Sequence, residues 1–297
     1  MRDSLKELFN NIVTLQYTLP HNGTLNTKVS TARDFAFKAH SDSEIADLIY
    51  NSIVDLAFDD YQIDINSLNE LQKTALEYRI RFNVGDETAK LKLGFYGEAL
   101  LNIFLQLFFG TDVLVARGEF FDILSQSEVH GYDSHHIIEK NNSLEFWCGE
   151  VKFYASYISA LESIWKNINK DITLEFLNKN LQAIIHRKLN IFAEGKLINN
   201  FIEECRKNPY RNYYDGIKRY GGKLVYPVLV VSNELKNGFD ETIKKYVDKI
   251  NELNKTEPIV MPVDLSVELF FIFLPVQDAK NIKLEVLECI QKNRPLI

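Results

Sequence analysis

HGYDSHHIIEKNNSLEFWCGEVKFY, residues 130–154, decides how the rest of the chain is read. LEFWCGEVKFY, bounded by an Asn-Asn-Ser turn signal and rich in aromatics, predicts a strand, and GYDSHHII predicts the strand before it. Side chains alternate faces along a strand. Phe146, Cys148, Glu150, Lys152 and Tyr154 therefore share one side, and Trp147, Gly149, Val151 and Phe153 the other. If the two strands pair, Asp133 lies opposite Glu150, and His135 faces the same way. Two carboxylates converging on one point repel each other, and a cation between them relieves the repulsion. Oxygen ligands at a strand edge suit Mg²⁺ or Mn²⁺. Lys152 adds a mobile positive charge beside the place where an attacking water and a phosphate oxygen would meet.

The flanking sequence supplies a scaffold for this pair of strands. Upstream, FYGEALLNIFLQLFFG (95–110) is apolar on nearly every side, as expected of a helix buried against a sheet, and Gly110 ends it. DVLVARG (112–118) predicts a short strand. Downstream, SYISALESIWKNI (156–168) returns to helical spacing through Ile158, Leu161, Ile164 and Trp165. A mainly helical stretch then leads to KLVYPVLVVS (223–232), a continuous apolar run typical of a strand covered on both faces. A helix carrying Ile243, Val247, Ile250 and Leu253, another apolar strand (ELFFIFLPV, 268–276) and a short helix follow. The order is α-β-β-β-α-β with extensions at both ends. Residues 1–90 predict a mainly helical region, with capping boxes at Ser41/Glu44 and Ser67/Glu70. The remainder, 91–297, predicts an α/β domain with a helical insertion around 155–222.

Composition bounds the function. The 297 residues are 46% hydrophobic and 25% charged, an ordinary globular profile. MRDSLKELFNNIV carries charges where a signal peptide needs an apolar segment, and no run approaches the roughly 18 apolar residues of a membrane helix. A cytoplasmic protein without a membrane partner is expected. Cys148, Cys205 and Cys289 stand singly, which fits neither a disulfide framework nor a CxxC zinc pattern. The net charge of −7 argues against a stand-alone nucleic-acid binder, yet residues 165–223 hold 12 Lys/Arg against 6 Asp/Glu. Within them, RKNPYRNYYDGIKRYGGK (206–223) offers Arg206, Lys207, Arg211, Lys218 and Arg219 among four tyrosines. Such a loop could follow a phosphate backbone, or be a solvated connection.

Three stations in chain order, YGEALL with Glu98, GYDSHH with Asp133 and GEVKFY with Glu150 and Lys152, resemble the PD-(D/E)xK nuclease superfamily over roughly residues 94–235. The resemblance implies a restriction-endonuclease-like core, a mixed central sheet flanked by helices. It also implies Mg²⁺-dependent (or Mn²⁺-dependent) hydrolysis of DNA, with Glu98, Asp133 and Glu150 as metal ligands and Lys152 beside them. The Pro-Asp dipeptide of the superfamily's name is missing. More narrowly, the chain resembles the nuclease subunit of the Hachiman anti-phage system, which partners a DNA helicase; residues 1–90 would then be the docking region. No G-x-x-x-x-G-K-[ST] occurs, so ATP hydrolysis would belong to the partner.

Each residue has a plainer reading. Glu194-Gly195-Lys196, Glu234-Leu235-Lys236 and Asp278-Ala279-Lys280 repeat the acid-x-Lys spacing outside any such context. Glu150 and Lys152 could be a solvated pair, Asp133 a turn residue, Glu98 a first-turn helix acid, and His135 an ordinary strand residue. An inactive adaptor with this fold, or a nuclease working without a helicase, remains open from the sequence.

Overall fold

The computed structural model describes residues 1–19, 30–82, 85–122, 127–128, 131–187, 196–207, 213–260 and 265–297. Its elements used below are α1 (Asp3–Ile12), β1 (Val13–Leu19), β2 (Asp34–Ala39), α2 (Asp42–Asn51), α3 (Ile53–Ala57), α4 (Leu68–Tyr78), α5 (Phe95–Ile103), β3 (Asp112–Val113), β4 (His136–Lys140), β5 (Ser143–Trp147) and β6 (Glu150–Phe153). Then come α6 (Tyr157–Asp171), α7 (Leu174–Arg187), α8 (Lys196–Lys207), α9 (Tyr213–Arg219), β7 (Lys223–Asn233), α10 (Phe239–Thr256), β8 (Ser266–Val276) and α11 (Ala279–Gln291).

A mixed sheet runs β1-β2-β8-β7-β5-β4-β3, with β6 continuing the line of β5 along β7. Parallel pairs join β2 to β8, β8 to β7, and β7 to β5 and β6. Antiparallel pairs close the two flanks. Strands β7 and β8 are buried along almost their whole length. This is why their sequences read as unbroken apolar runs.

Alternation divides the core into two layers. Val225, Leu229, Val231, Phe270, Ile272 and Leu274 face α1, α2, α5 and α11. Leu224, Tyr226, Val228, Val230, Phe271 and Phe273 face α6 to α10. Each fully buried side chain of this size contributes about 1.5–3 kcal/mol relative to exposure, so β7 and β8 dominate the stability of the sheet. The α/β architecture with a mixed, helix-flanked sheet and a helical insertion before β7 agrees with the sequence reading.

Residues 1–90 are not only helical, as expected, but supply the hairpin β1–β2 and extend the central sheet through β2 and β8. VTLQYTL lacks the clean apolar alternation that marks a half-buried strand: its interior is largely exposed. Residues on both sides of position 90 share one apolar layer. The Arg2 guanidinium is buried inside it, donating to Asp55 Oδ2 at 2.7 and 3.1 Å and to the carbonyls of Asn51 and Ile297.

Candidate active site

The line of β5 and β6 is interrupted at Cys148-Gly149, although its register along β7 is unbroken: Trp147 faces Val225 and Glu150 faces Val228. Pro227 stands opposite the gap and has no N–H to give the ladder. On its other edge, Gly149 donates its N–H to Ser134 Oγ (3.0 Å), and its carbonyl accepts from the Asp133 N–H (2.9 Å). A Cβ at Gly149 would lie 2.9 Å from Ser134 Oγ and 3.0 Å from the Pro227 carbonyl oxygen. Only glycine admits both neighbours.

Asp133 thus precedes β4 rather than lying within it. The ladder stops at the His136–Trp147 pair, yet Asp133 is still held level with Glu150. Its Oδ2 accepts the N–H of Val151 at 2.8 Å, a donor on the strand edge with no neighbouring strand to receive it. Tyr132 pins the segment from behind, donating its hydroxyl to the Asp171 carbonyl at 2.5 Å and its N–H to Asn180 Oδ1 at 3.3 Å.

Glu150 and Lys152 point to the α6 side, as their alternation requires. The Lys152 ammonium donates to Glu150 Oε1, and Asn167 Nδ2 of α6 reaches the same oxygen at 3.5 Å. Their side chains are only 6% and 17% exposed, which removes the solvated-pair reading. Burial and the Glu150 charge push the Asp133 carboxyl up to about 7, while Lys152, the Val151 N–H and Arg117 act the other way. Burial opposes the Lys152 charge, but Glu150 and Asp133 outweigh it and hold the lysine above its ordinary value. Lys152 is therefore an ammonium here, a donor and not a base.

Glu98 comes to the same rim from the opposite sheet face. Gly97 lets α5 approach β6 so closely that a Cβ there would lie 2.9 Å from Val151 Cγ2. A cleft at the sheet edge is lined by Glu98, Asp133 and Lys152 together with Lys92, Tyr154 and Lys283. The Glu98 carboxylate, however, accepts from Arg117 Nε at 3.2 Å. Among the described residues no three His, Cys, Asp or Glu side chains gather as they would around a metal. The donor set that fits a hard cation is the pair Asp133 and Glu150, a half-buried and a buried carboxylate whose repulsion adds to burial in raising the Asp133 pKa.

The remaining candidates lie elsewhere. His135 stacks on Phe120 with ring centroids 4.5 Å apart and meets Tyr132 edge-on, so it belongs to the aromatic core and does not line the cleft. His136 bonds Thr111 Oγ1 at 2.7 Å, and burial pushes its pKa down to about 3. Four of the five cations proposed at 206–219 belong to helices: Arg206 and Lys207 end α8, and Lys218 and Arg219 end α9. Lys207 pairs with Glu203 and Arg219 with Glu204, and Lys218 lies over the Tyr214 ring. Their local acids were present in the sequence, but helical spacing was needed to see the pairing. Arg211 lies outside the described residues. Gly221 abuts Ser143, at the far end of the strand line from Glu150.

Five residues escaped the sequence reading: Lys92, Arg117, Asn167, Asp171 and Lys283. Asp171 is buried and accepts from the Tyr226 hydroxyl at 3.0 Å. Burial raises its pKa, and the Asp133 charge adds to the rise. A buried acid ending the apolar stripe of α6 was the available signal.

Fold and site define an α/β protein carrying an Asp, Glu-x-Lys cluster at an edge cleft of a mixed sheet. A family profile for HamA matches residues 6–290, and the chain belongs to the HamA family. This agrees with the Hachiman resemblance and points to anti-phage defence. No curated protein and no solved structure gives a match. No helix among the described residues is long and apolar enough to cross a membrane.

Proposed function

We propose that this protein is a metal-dependent deoxyribonuclease, the effector of Hachiman anti-phage defence, working in the cytoplasm with a helicase that supplies ATP hydrolysis. The observation that carries the reading is the enclosed cluster of Asp133, Glu150 and Lys152, two repelling carboxylates and an ammonium beside an open cleft. Burying such a group without a function is costly, because an ion pair removed from water rarely repays its desolvation.

Asp133 and Glu150 are the residues to hold Mg²⁺ or Mn²⁺. When bound, the ion supplies Lewis acidity to water and positive charge to the phosphate. Asp133 gives up its proton on binding, and its Val151 hydrogen bond fixes which oxygen remains available. Lys152 spans from Glu150 toward the cleft and donates to a phosphate oxygen or to the attacking water. Asn167 holds Glu150 from the other side. Glu98 either stays with Arg117 or exchanges that partner for the cation. The sequence offers no recognisable groove-entering motif, so cleavage without sequence preference is the default.

The decisive experiment incubates the purified protein, alone and with its neighbouring helicase, with supercoiled and linear DNA in Mg²⁺ or EDTA. Metal-dependent cutting that Glu150→Ala abolishes supports the proposal. Full anti-phage protection by Glu150→Ala and Lys152→Ala proteins would instead mark an inactive adaptor. Docking of the helicase on residues 1–90 needs point substitutions on exposed side chains such as Tyr61, Ile65 and Tyr78. Deleting residues 1–83 would remove β1, β2 and half of an apolar layer along with any docking surface.

A further inference from the structure

Opposite the acids, the cleft is bounded by cations from segments that the motif does not include. Lys283 projects from α11, the last helix, and Lys92 precedes α5; both line the cleft with Asp133, Lys152 and Tyr154. The Lys283 ammonium donates to the carbonyls of Phe153 (2.9 Å) and Leu91 (3.3 Å). It also lies over the rings of Phe153 and Tyr96, at 5.0 and 5.4 Å. No carboxylate pairs with it among the described residues. Burial alone accordingly pushes its pKa down, to about 8. Lys92 is exposed and likewise has no ion pair there.

An ammonium held away from water without a counter-charge is unfavourable unless an anion comes to it. Two of its three N–H donors are used by carbonyls, which fix the nitrogen in position, and the third is left for a ligand. The anion that this cleft would receive is the one that the acids and Lys152 are arranged to handle, a phosphodiester. Tyr154, 41% exposed at the same mouth, offers a ring face to a base.

We propose that Lys283 and Lys92 form a phosphate clamp across the cleft, taking the phosphates that flank the reacting one on a DNA strand. This rests on the nuclease reading and names how its substrate is held. The two lysines are substrate-positioning residues. They set the path of the strand past Asp133 and Glu150, and Lys152 stays with the reacting phosphate.

The test measures binding of a fluorescein-labelled single-stranded oligonucleotide to the full-length protein in EDTA, by anisotropy, over a range of salt concentrations. Variants are Lys92→Gln, Lys283→Gln, Lys283→Arg and the double Gln form. Each Gln variant should weaken binding and reduce the slope of log K against log salt by about 0.7, the value for one contact to a single strand, and the double form by about 1.4. Lys283→Arg should restore the slope. Lys92 lies on the surface, so its variant keeps the test valid should Lys283→Gln fold poorly. Plasmid cutting in Mg²⁺, with Glu150→Ala alongside, is read separately. Wild-type slopes in both single Gln variants overturn the clamp even if cutting persists, leaving the nuclease reading intact. Unaltered cutting by Glu150→Ala overturns the nuclease reading instead, whatever the slopes. A wild-type chain that binds no oligonucleotide at low salt also overturns the clamp.

Discussion

Replacing Asp133 by asparagine should make the protein more stable at pH 8 and no more stable at pH 4. The carboxyl is raised from 3.8 to about 7 by burial first and by Glu150 second. In the folded state it therefore holds a proton between pH 4 and 7 that the unfolded chain has released. Stability falls as pH rises through that window, and the loss is complete above the folded value. One pH unit corresponds to about 1.36 kcal/mol, so the full displacement sets a ceiling of about 4 kcal/mol. Asp133 is half-buried, so solvent screens part of this, and about 2 kcal/mol is the expected share. Asparagine keeps the size and an oxygen that can accept the Val151 N–H, so the exchange removes charge with little change in packing. In a chain of this length the gain is about 3 °C in Tm at pH 8. Thermal unfolding of both proteins in EDTA, at intervals from pH 4 to 8, reads it directly. Equal melting at pH 8 would refute the reasoning, and so would a gain that persists unchanged at pH 4.

The same proton should govern the metal. Mg²⁺ affinity, measured by calorimetry, is expected to fall by about tenfold for each pH unit below 7, because binding must displace it. Glu150→Gln should weaken that affinity by more than about tenfold, and Glu98→Gln, whose carboxylate is engaged by Arg117, by less than about threefold. Gly149→Ala should destabilise the fold by about 1–3 kcal/mol in urea unfolding, since its Cβ meets Ser134 and the Pro227 carbonyl. Arg2→Ala leaves the Asp55 carboxylate buried without its partner, and a loss of about 3–5 kcal/mol in the same assay is expected.

The central strands were legible because burial on both faces writes itself as unbroken apolar sequence, and α5 was legible for the same reason. Glu150 and Lys152 were legible through alternation, which the structure preserves across the Gly149 break. Asp133 was placed level with Glu150 correctly but in the wrong backbone state. What holds it there is a side-chain hydrogen bond to a strand edge, which leaves no periodic trace. Strand β1 was missed because its interior side chains are largely exposed, which leaves no apolar alternation to read. Lys283 could not be found at all: it is 131 positions from Lys152 in the chain, and only the docking of α11 brings it to the cleft. His135 shows the converse failure, where correct spacing suggested a site and the rings of Phe120 and Tyr132 make it part of a core.

Strand β8 lies between β2 and β7, although it follows both of them in the chain. The amino-terminal hairpin therefore has no seat in the sheet until residues 266–276 leave the ribosome, and long-range pairing of this kind is slow. A chain ending before that point would keep the contacts that join Asp133 to β6 but would leave one edge of β7 without its neighbour.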